Sequence, residues 1–221
     1  MLIKNIFSPI SFGSGEQHQV LDVSFDCSGK KNIQLNDNAN VCYVALLNNA
    51  NVDFQIDLSG IGSRLEFFGI FVGDVKSQVV TTLLANTAFA SVHLFCIVKE
   101  GSTMQVDGNI IIGKTIEHVE GHLKEEQFLL GTPKHLLVRP LLDVHSHRVK
   151  ASHGAKIHTL DQQKLFYMMS KGLSLEESQK IVVQAGLQSI FDHISDVDVD
   201  EQQKIFKKTL DSIFTPLDLL G

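Results

Sequence analysis

Cysteine, cationic surplus and long apolar runs are all scarce in this chain, and each shortage removes a class of protein. The three cysteines, Cys27, Cys42 and Cys96, are odd in number, widely spaced and without a C-x-x-C pair. That pattern excludes a disulfide framework and a zinc knuckle, and predicts buried or half-buried thiols in a reducing cytosol. Lys and Arg number 19 against 25 Asp and Glu, and no segment gathers enough of them to track a phosphate backbone, so nucleic acid is not an expected partner. The first twenty residues hold no apolar stretch of signal-peptide length, and nothing later approaches a transmembrane span. A cytoplasmic protein without a membrane partner is the expectation. Tryptophan is absent, which by itself excludes nothing.

Enzyme motifs are missing as well. There is no Gly-rich loop ending in Gly-Lys-Ser/Thr, no G-x-S-x-G elbow and no G-x-G-x-x-G between a strand and a helix. Gly60-Ile61-Gly62 is too short and lacks the third glycine. Asp143, Glu125 and Glu126 are carboxylates that nothing in the spacing places at catalytic separation. No catalytic residue is assigned.

What is present divides into two halves of different period. With 221 residues, 43% of them hydrophobic, the chain has enough apolar surface for one elongated domain with an appendage. From about residue 30 to 155, short runs rich in Val, Ile, Phe and Thr alternate with Asn, Gly and Asp, which are strand and turn signals. Asn38-Ala39-Asn40-Val41 recurs 11 residues later as Asn49-Ala50-Asn51-Val52. Such regularity suits a β-sandwich or a β-solenoid, and periodicity alone does not choose between them, although a solenoid explains the repeat better. Val79 to Leu84 and Phe89 to Val98 are candidate central rungs.

After residue 158 the period becomes helical. Thr159-Leu160-Asp161-Gln162 has the form of a capping box, and the helix it opens carries Leu165, Phe166 and Met169 and stops near Gly172. Ser174-Leu175-Glu176-Glu177 is a second box, opening a helix that runs through Ile181, Val182 and Ala185 to Gly186, with a third helix to about residue 194. Asp196, Asp198 and Asp200 precede the N-terminus of a last helix, where the macrodipole favours them. That helix carries Ile205, Phe206, Leu210, Ile213 and Phe214 on one stripe, for docking on the domain or for a partner's groove, and Pro216 ends it.

Read as one strand, Val144 to His153 puts His145, His147, Val149, Ala151 and His153 on one face. Eight residues of extended chain span about 26 Å at ~3.3 Å per residue, so His145 and His153 cannot share an ion. His145 and His147 could, with help from His122 or His135, making a β-helical metal- or ligand-binding protein the alternative function. A cupin reading of the His-x-His pair fails, because Ala151 stands where the carboxylate ligand belongs.

Ser152-His153-Gly154-Ala155, then Leu160-Asp161, Leu165-Phe166-Tyr167 and Ser170-Lys171-Gly172-Leu173, at fixed distances, together resemble the C-terminal signature of the SufB/SufD family. Phe128-Leu129-Leu130-Gly131 and Arg139-Pro140-Leu141-Leu142-Asp143-Val144 extend the likeness upstream, over roughly residues 121–194. The resemblance implies a right-handed parallel β-helix over residues 1–157 and a helical segment over 158–221. It implies a non-catalytic scaffold of iron–sulfur cluster assembly that pairs, through its last strands, with a SufB-like paralogue or with itself. It also implies that Leu165, Phe166, Tyr167 and Gly172 belong to a face that docks a SufC-type ATPase. Gly154 and Glu125 stand where SufB members carry Glu and Cys, so the chain is similar to SufD, in a short form. Ala151 replaces a Cys common in SufD. His153 alone carries over as a candidate ligand for iron or for a cluster held transiently with a partner.

Overall fold

A computed structural model describes residues 1–159, 162–194 and 199–214. Thirteen strands occupy the first part of the chain: β1 (Leu2–Lys4), β2 (Ile10–Phe12), β3 (Gln17–Phe25), β4 (Ser28–Leu35), β5 (Asn40–Asn48), β6 (Asn51–Leu58), β7 (Arg64–Val72), β8 (Val75–Leu83), β9 (Phe89–Val98), β10 (Thr103–Ile112), β11 (Val119–Leu129), β12 (His135–Val144) and β13 (Val149–Thr159). Odd strands form one sheet in the order β1-β3-β5-β7-β9-β11-β13, here sheet A, and even strands form sheet B, β12-β10-β8-β6-β4-β2. Every pairing is parallel. The chain is a parallel β-helix, and the sandwich alternative falls. One turn advances between 19 residues (Leu2 to Leu21) and 32 residues (Thr103 to His135).

The internal repeat is a corner of this coil. Asn38 and Asn49 both take positive φ, 53° and 49°, and each is followed by a buried Ala and by an Asn that starts a strand, Asn40 in sheet A and Asn51 in sheet B. Asparagine tolerates the left-handed conformation that such a bend requires. Eleven residues is therefore half a turn, and the strands switch sheets at each repeat. Gly60 serves another corner by close approach: a Cβ there would sit 2.0 Å from the Asn36 carbonyl carbon.

Two cores result. Inward side chains from both sheets, among them Tyr43, Phe54, Phe67 and Leu94, fill the lumen. A second cluster lies on the outer face of sheet A, where Leu21, Val44, Ile70, Phe95 and Phe128 meet Val183, Leu187, Ile190, Ile205, Leu210 and Ile213 of the C-terminal helices. Coverage on both faces explains the unbroken apolar runs Val44–Leu47 and Leu94–Val98 in sheet A, whereas β6 and β8 in sheet B alternate buried and less buried positions.

The helices are α1 (Gln162–Ser170), α2 (Leu175–Phe191), a 3-10 turn at Asp192–Ile194, and α3 (Val199–Phe214). Ser174 and Glu177 form the expected reciprocal capping box of α2. Gly172, at φ 95°, lies just past the end of α1, in the turn to α2. Several expectations change. Strands begin at Leu2 rather than near residue 30. Gly186 does not stop a helix: α2 runs through it because a Cβ there would lie 2.9 Å from the Phe95 ring, so the glycine admits a close helix-to-sheet approach. Residues Val144 to His153 are not one strand, since β12 ends at Val144 and His145 to Arg148 form the corner before β13. No Gly or Asn marks that corner; Ser146 makes it, its Oγ donating to Gly113 O at 2.7 Å and accepting from Ile116 N at 3.2 Å. Thr159 is the last residue of β13, while Leu160 and Asp161 of the first capping box, Asp196 and Asp198, and Pro216 lie outside the described residues. The stripe of α3 faces sheet A, with Ile205, Leu210 and Ile213 buried there.

Candidate functional site

The C-terminal end of the coil leaves both sheets open, at β12 and β13. The two edges differ. His135 and His145 donate backwards to Ser102 O and Ile112 O, so odd residues of β12 bond β10 and even ones face outward. Pro140 is on the outward set and has no N–H to offer, which blunts this edge. In β11, Glu120 and Leu130 donate to Ala88 O and Val98 O on the β9 side. Its odd residues therefore bond β13, whose even residues answer them. Ala151, His153, Ala155 and Ile157 are left to direct complete pairs of backbone donor and acceptor into open space.

His153 sits in the middle of that unblunted edge, exposed, with Nδ1 3.3 Å from the carbonyl oxygen of Pro140 across the mouth of the lumen. A tautomer that donates from Nδ1 keeps the Nε2 lone pair free for a metal. Nothing lies within 4 Å of a Cβ built on Gly154, so the strand beside His153 is open to approach. One position further along the same face, Ala155 pairs with Glu125 of β11. Glu125 points into the lumen, fully buried, and neither of its carboxylate oxygens makes a well-formed hydrogen bond. Burial pushes its carboxyl up to about 8, the Gly108 backbone drawing it partly back and Asp107 adding to the rise. Gly108 leaves it room, since a Cβ there would lie 2.7 Å from Oε1.

His145 and His147 belong instead to the preceding corner, in an open basin of about 650 Å³ that Lys114, Glu117, Ser146 and Arg148 also line. His145 Nε2 is 3.0 Å from Asp143 Oδ2. Neither suggested helper lines the basin: His122 Nδ1 is bonded to Ser152 Oγ at 2.8 Å, and His135 begins β12 at its opposite end. Among the described residues no group of three or more His, Cys, Asp and Glu is placed to hold a metal ion. The thiols are equally reserved. Cys96 is buried, and burial together with the nearby Glu66 carboxylate pushes the Cys42 thiol up to about 12.

A second open surface lies on the helices. Phe166 is 75% and Tyr167 63% exposed on α1, Met169, Leu175 and Ile181 are exposed beside them, and Leu165 is half-buried. So much aromatic surface in one place marks an interaction site more often than a bare monomer surface.

Two clusters were missed from sequence. Lys31, Asp22 and Tyr43 form a buried polar triad in the lumen, and His93, Glu126 and His158 converge on the outer face of sheet A. Lys31 had a signal: it shares the inward parity of Ile33 and Leu35 on β4. The second cluster had none, because its members come from three different turns.

Among known proteins, residues 22–186 match the family described as SUF system FeS cluster assembly, SufBD core domain. The iron–sulfur cluster assembly protein SufD of Escherichia coli is 23% identical over 150 residues, which cover 66% of this chain and 35% of that protein. A SufBD family protein of Synechocystis is 25% identical over 136 residues, 60% of this chain and 30% of its own length. Another, from Galdieria sulphuraria, is 23% identical over 147 residues, 61% and 62% of the two chains. The chain thus spans about a third of the first two and about three fifths of the third. No helix among the described residues is long and apolar enough to cross a membrane.

Proposed function

The chain belongs to the SufBD core family of the SUF iron–sulfur cluster assembly system, and on that footing we propose that it is a non-catalytic cytoplasmic scaffold of cluster assembly. It pairs at the open end of its β-helix with a second β-helix, either a SufB-like paralogue or another copy, and docks a SufC-type ATPase on α1 and the start of α2. The observation that carries this is the unblunted β13 edge. Left alone, such an edge invites uncontrolled strand addition, and natural proteins cover it with a partner or blunt it.

Iron or a nascent cluster is cargo in this scheme. His153 supplies one imidazole, and the remaining ligands come from the paired chain, since the three cysteines here are withdrawn from the edge. Gly154 keeps the strand bare so that a partner's ligands can reach the same point. Glu125, beneath it, holds a proton at neutral pH and so adds no negative charge to the mouth.

Docking of the ATPase is tested by Phe166→Asp and Tyr167→Asp, separately and together. Both side chains are largely solvated, so the thermal midpoint should stay within about 2 °C, in line with the small cost of surface changes. Binding to the ATPase in a pull-down should fall by at least tenfold, the usual weight of an aromatic hot spot being about 2 kcal/mol. Undiminished binding by the double variant would remove α1 from the interface.

A further inference from the structure

The outer face of sheet A carries a group of ionisable side chains at the margin of the helical segment. His93 on β9 lies between Phe68 of β7 and Lys124 of β11 in register. Its Nε2 is 3.7 Å from Glu126 Oε2, and the same oxygen is 3.5 Å from His158 Nε2 on β13. Both Nε2 atoms are buried and no hydrogen bond reaches either. Lys124 bonds the other oxygen of Glu126. From the helical side, His193 stands 4.6 Å from the Phe68 ring, held by its Nδ1 contact to Ser189 O at 2.8 Å. Phe95, one row on from His93, is the ring against which Gly186 of α2 packs.

We propose that His93 is an acid-sensitive contact: a proton taken up by its imidazole loosens the packing of α2 and the 192–194 turn on sheet A. The groups that face His93 are Lys124 and Glu126 on β11, His193 in the turn and, across Glu126, His158 on β13; Phe68 and Phe95 complete its surroundings. Glu126 is the negative group in this set, and Lys124, bonded to its other oxygen, offsets its pull on His93 only in part. A positive charge on His93 would still be poorly hydrated, beside Lys124, opposite His193 and against two phenyl rings, and its burial outweighs what Glu126 returns. The helical segment pays no such penalty once it lifts off and water reaches the ring.

Burial is the main influence holding the His93 imidazole below its ordinary range, with Lys124 and His193 acting the same way and Glu126 in opposition. A histidine depressed in the packed form binds its proton more tightly when opened, so the contact is complete at neutral pH and is lost as pH falls through the range of free histidine. Opening then grows by up to about tenfold per pH unit for one proton.

Hydrogen exchange of the full chain, without any partner, tests this independently of the proposed function. Protection factors, corrected for intrinsic exchange, are compared at pH 7.5 and 5.5. Peptides from 175–194 should lose about tenfold protection or more at the lower pH, while the lumenal strands β5 to β8 keep theirs. His93→Gln, and His93→Phe as a second variant matched to the neighbouring rings, should flatten the response, and His193→Gln should make it shallower. Unchanged protection of 175–194 in the natural chain, or an equal loss in both His93 variants, would overturn the proposal.

Discussion

Replacing Lys31 by Met should destabilise the protein by about 3–5 kcal/mol, the range for removing one partner of a buried ion pair. Lys31 and Asp22 are each 1% exposed and Tyr43 is fully buried, all inside the coil near its N-terminal end. The Lys31 ammonium and the Tyr43 hydroxyl both donate to the Asp22 carboxylate. Desolvation nevertheless raises the Asp22 carboxyl above its ordinary value, with Lys31 pulling it back incompletely. Burial therefore costs the carboxylate more than its partners return. Without Lys31, Asp22 must ionise unpaired or take up a proton. A carboxyl raised in the native state binds protons more tightly than the unfolded chain does, so the deficit should be largest at alkaline pH, shrink as the pH falls through the raised native value, and reach its minimum by about pH 4, the ordinary value in the unfolded chain. Denaturant midpoints across pH measure it. The double variant Asp22→Leu, Lys31→Met should recover most of the loss, because an apolar replacement of a buried pair is often neutral or stabilising. A double variant as weak as the single one would contradict this account of the triad.

Glu125→Gln should do the opposite. The native carboxyl holds its proton up to about pH 8, whereas the unfolded chain releases it near the ordinary value for glutamate. Between those limits the native state binds the extra proton, and stability falls as pH rises; below them the group contributes nothing, and above them the full penalty is in place. A displacement of that size corresponds to roughly 5 kcal/mol. The Gln variant lacks this slope, so its advantage over the natural chain should be near zero at pH 4 and grow steadily to pH 8. Parallel pH profiles for the two proteins would show that Glu125 is ionised in the lumen.

Fold and site differ in how far they can be read from the chain. The asparagine corners gave away the repeat because the bend demands a left-handed residue, and Asn-Ala-Asn-Val supplies one twice at the same place in a half-turn. Ser174 and Glu177 were equally plain, since a capping box is local chemistry. Gly186 misled because a glycine that stops a helix and one that lets a helix approach Phe95 are identical in sequence. The corner at His145 to Arg148 was hidden for the same kind of reason: Ser146 bends the chain by bonding to Gly113 and Ile116, which lie 30 residues and more upstream. His153 was recognisable by its motif, but its setting was not. That Ala151, His153, Ala155 and Ile157 turn their backbone outward, and that Pro140 spoils the neighbouring edge, follows from register alone.

The proposed function makes this chain a paired scaffold, joined through β13 and coupled to an ATPase. Native mass spectrometry of the chain purified anaerobically with a SufC-type ATPase and a SufB-like partner tests it in one spectrum. The expected spectrum contains an assembly whose mass holds two β-helical chains together with the ATPase. A spectrum showing this chain as a lone monomer beside an intact complex of the other two would contradict it.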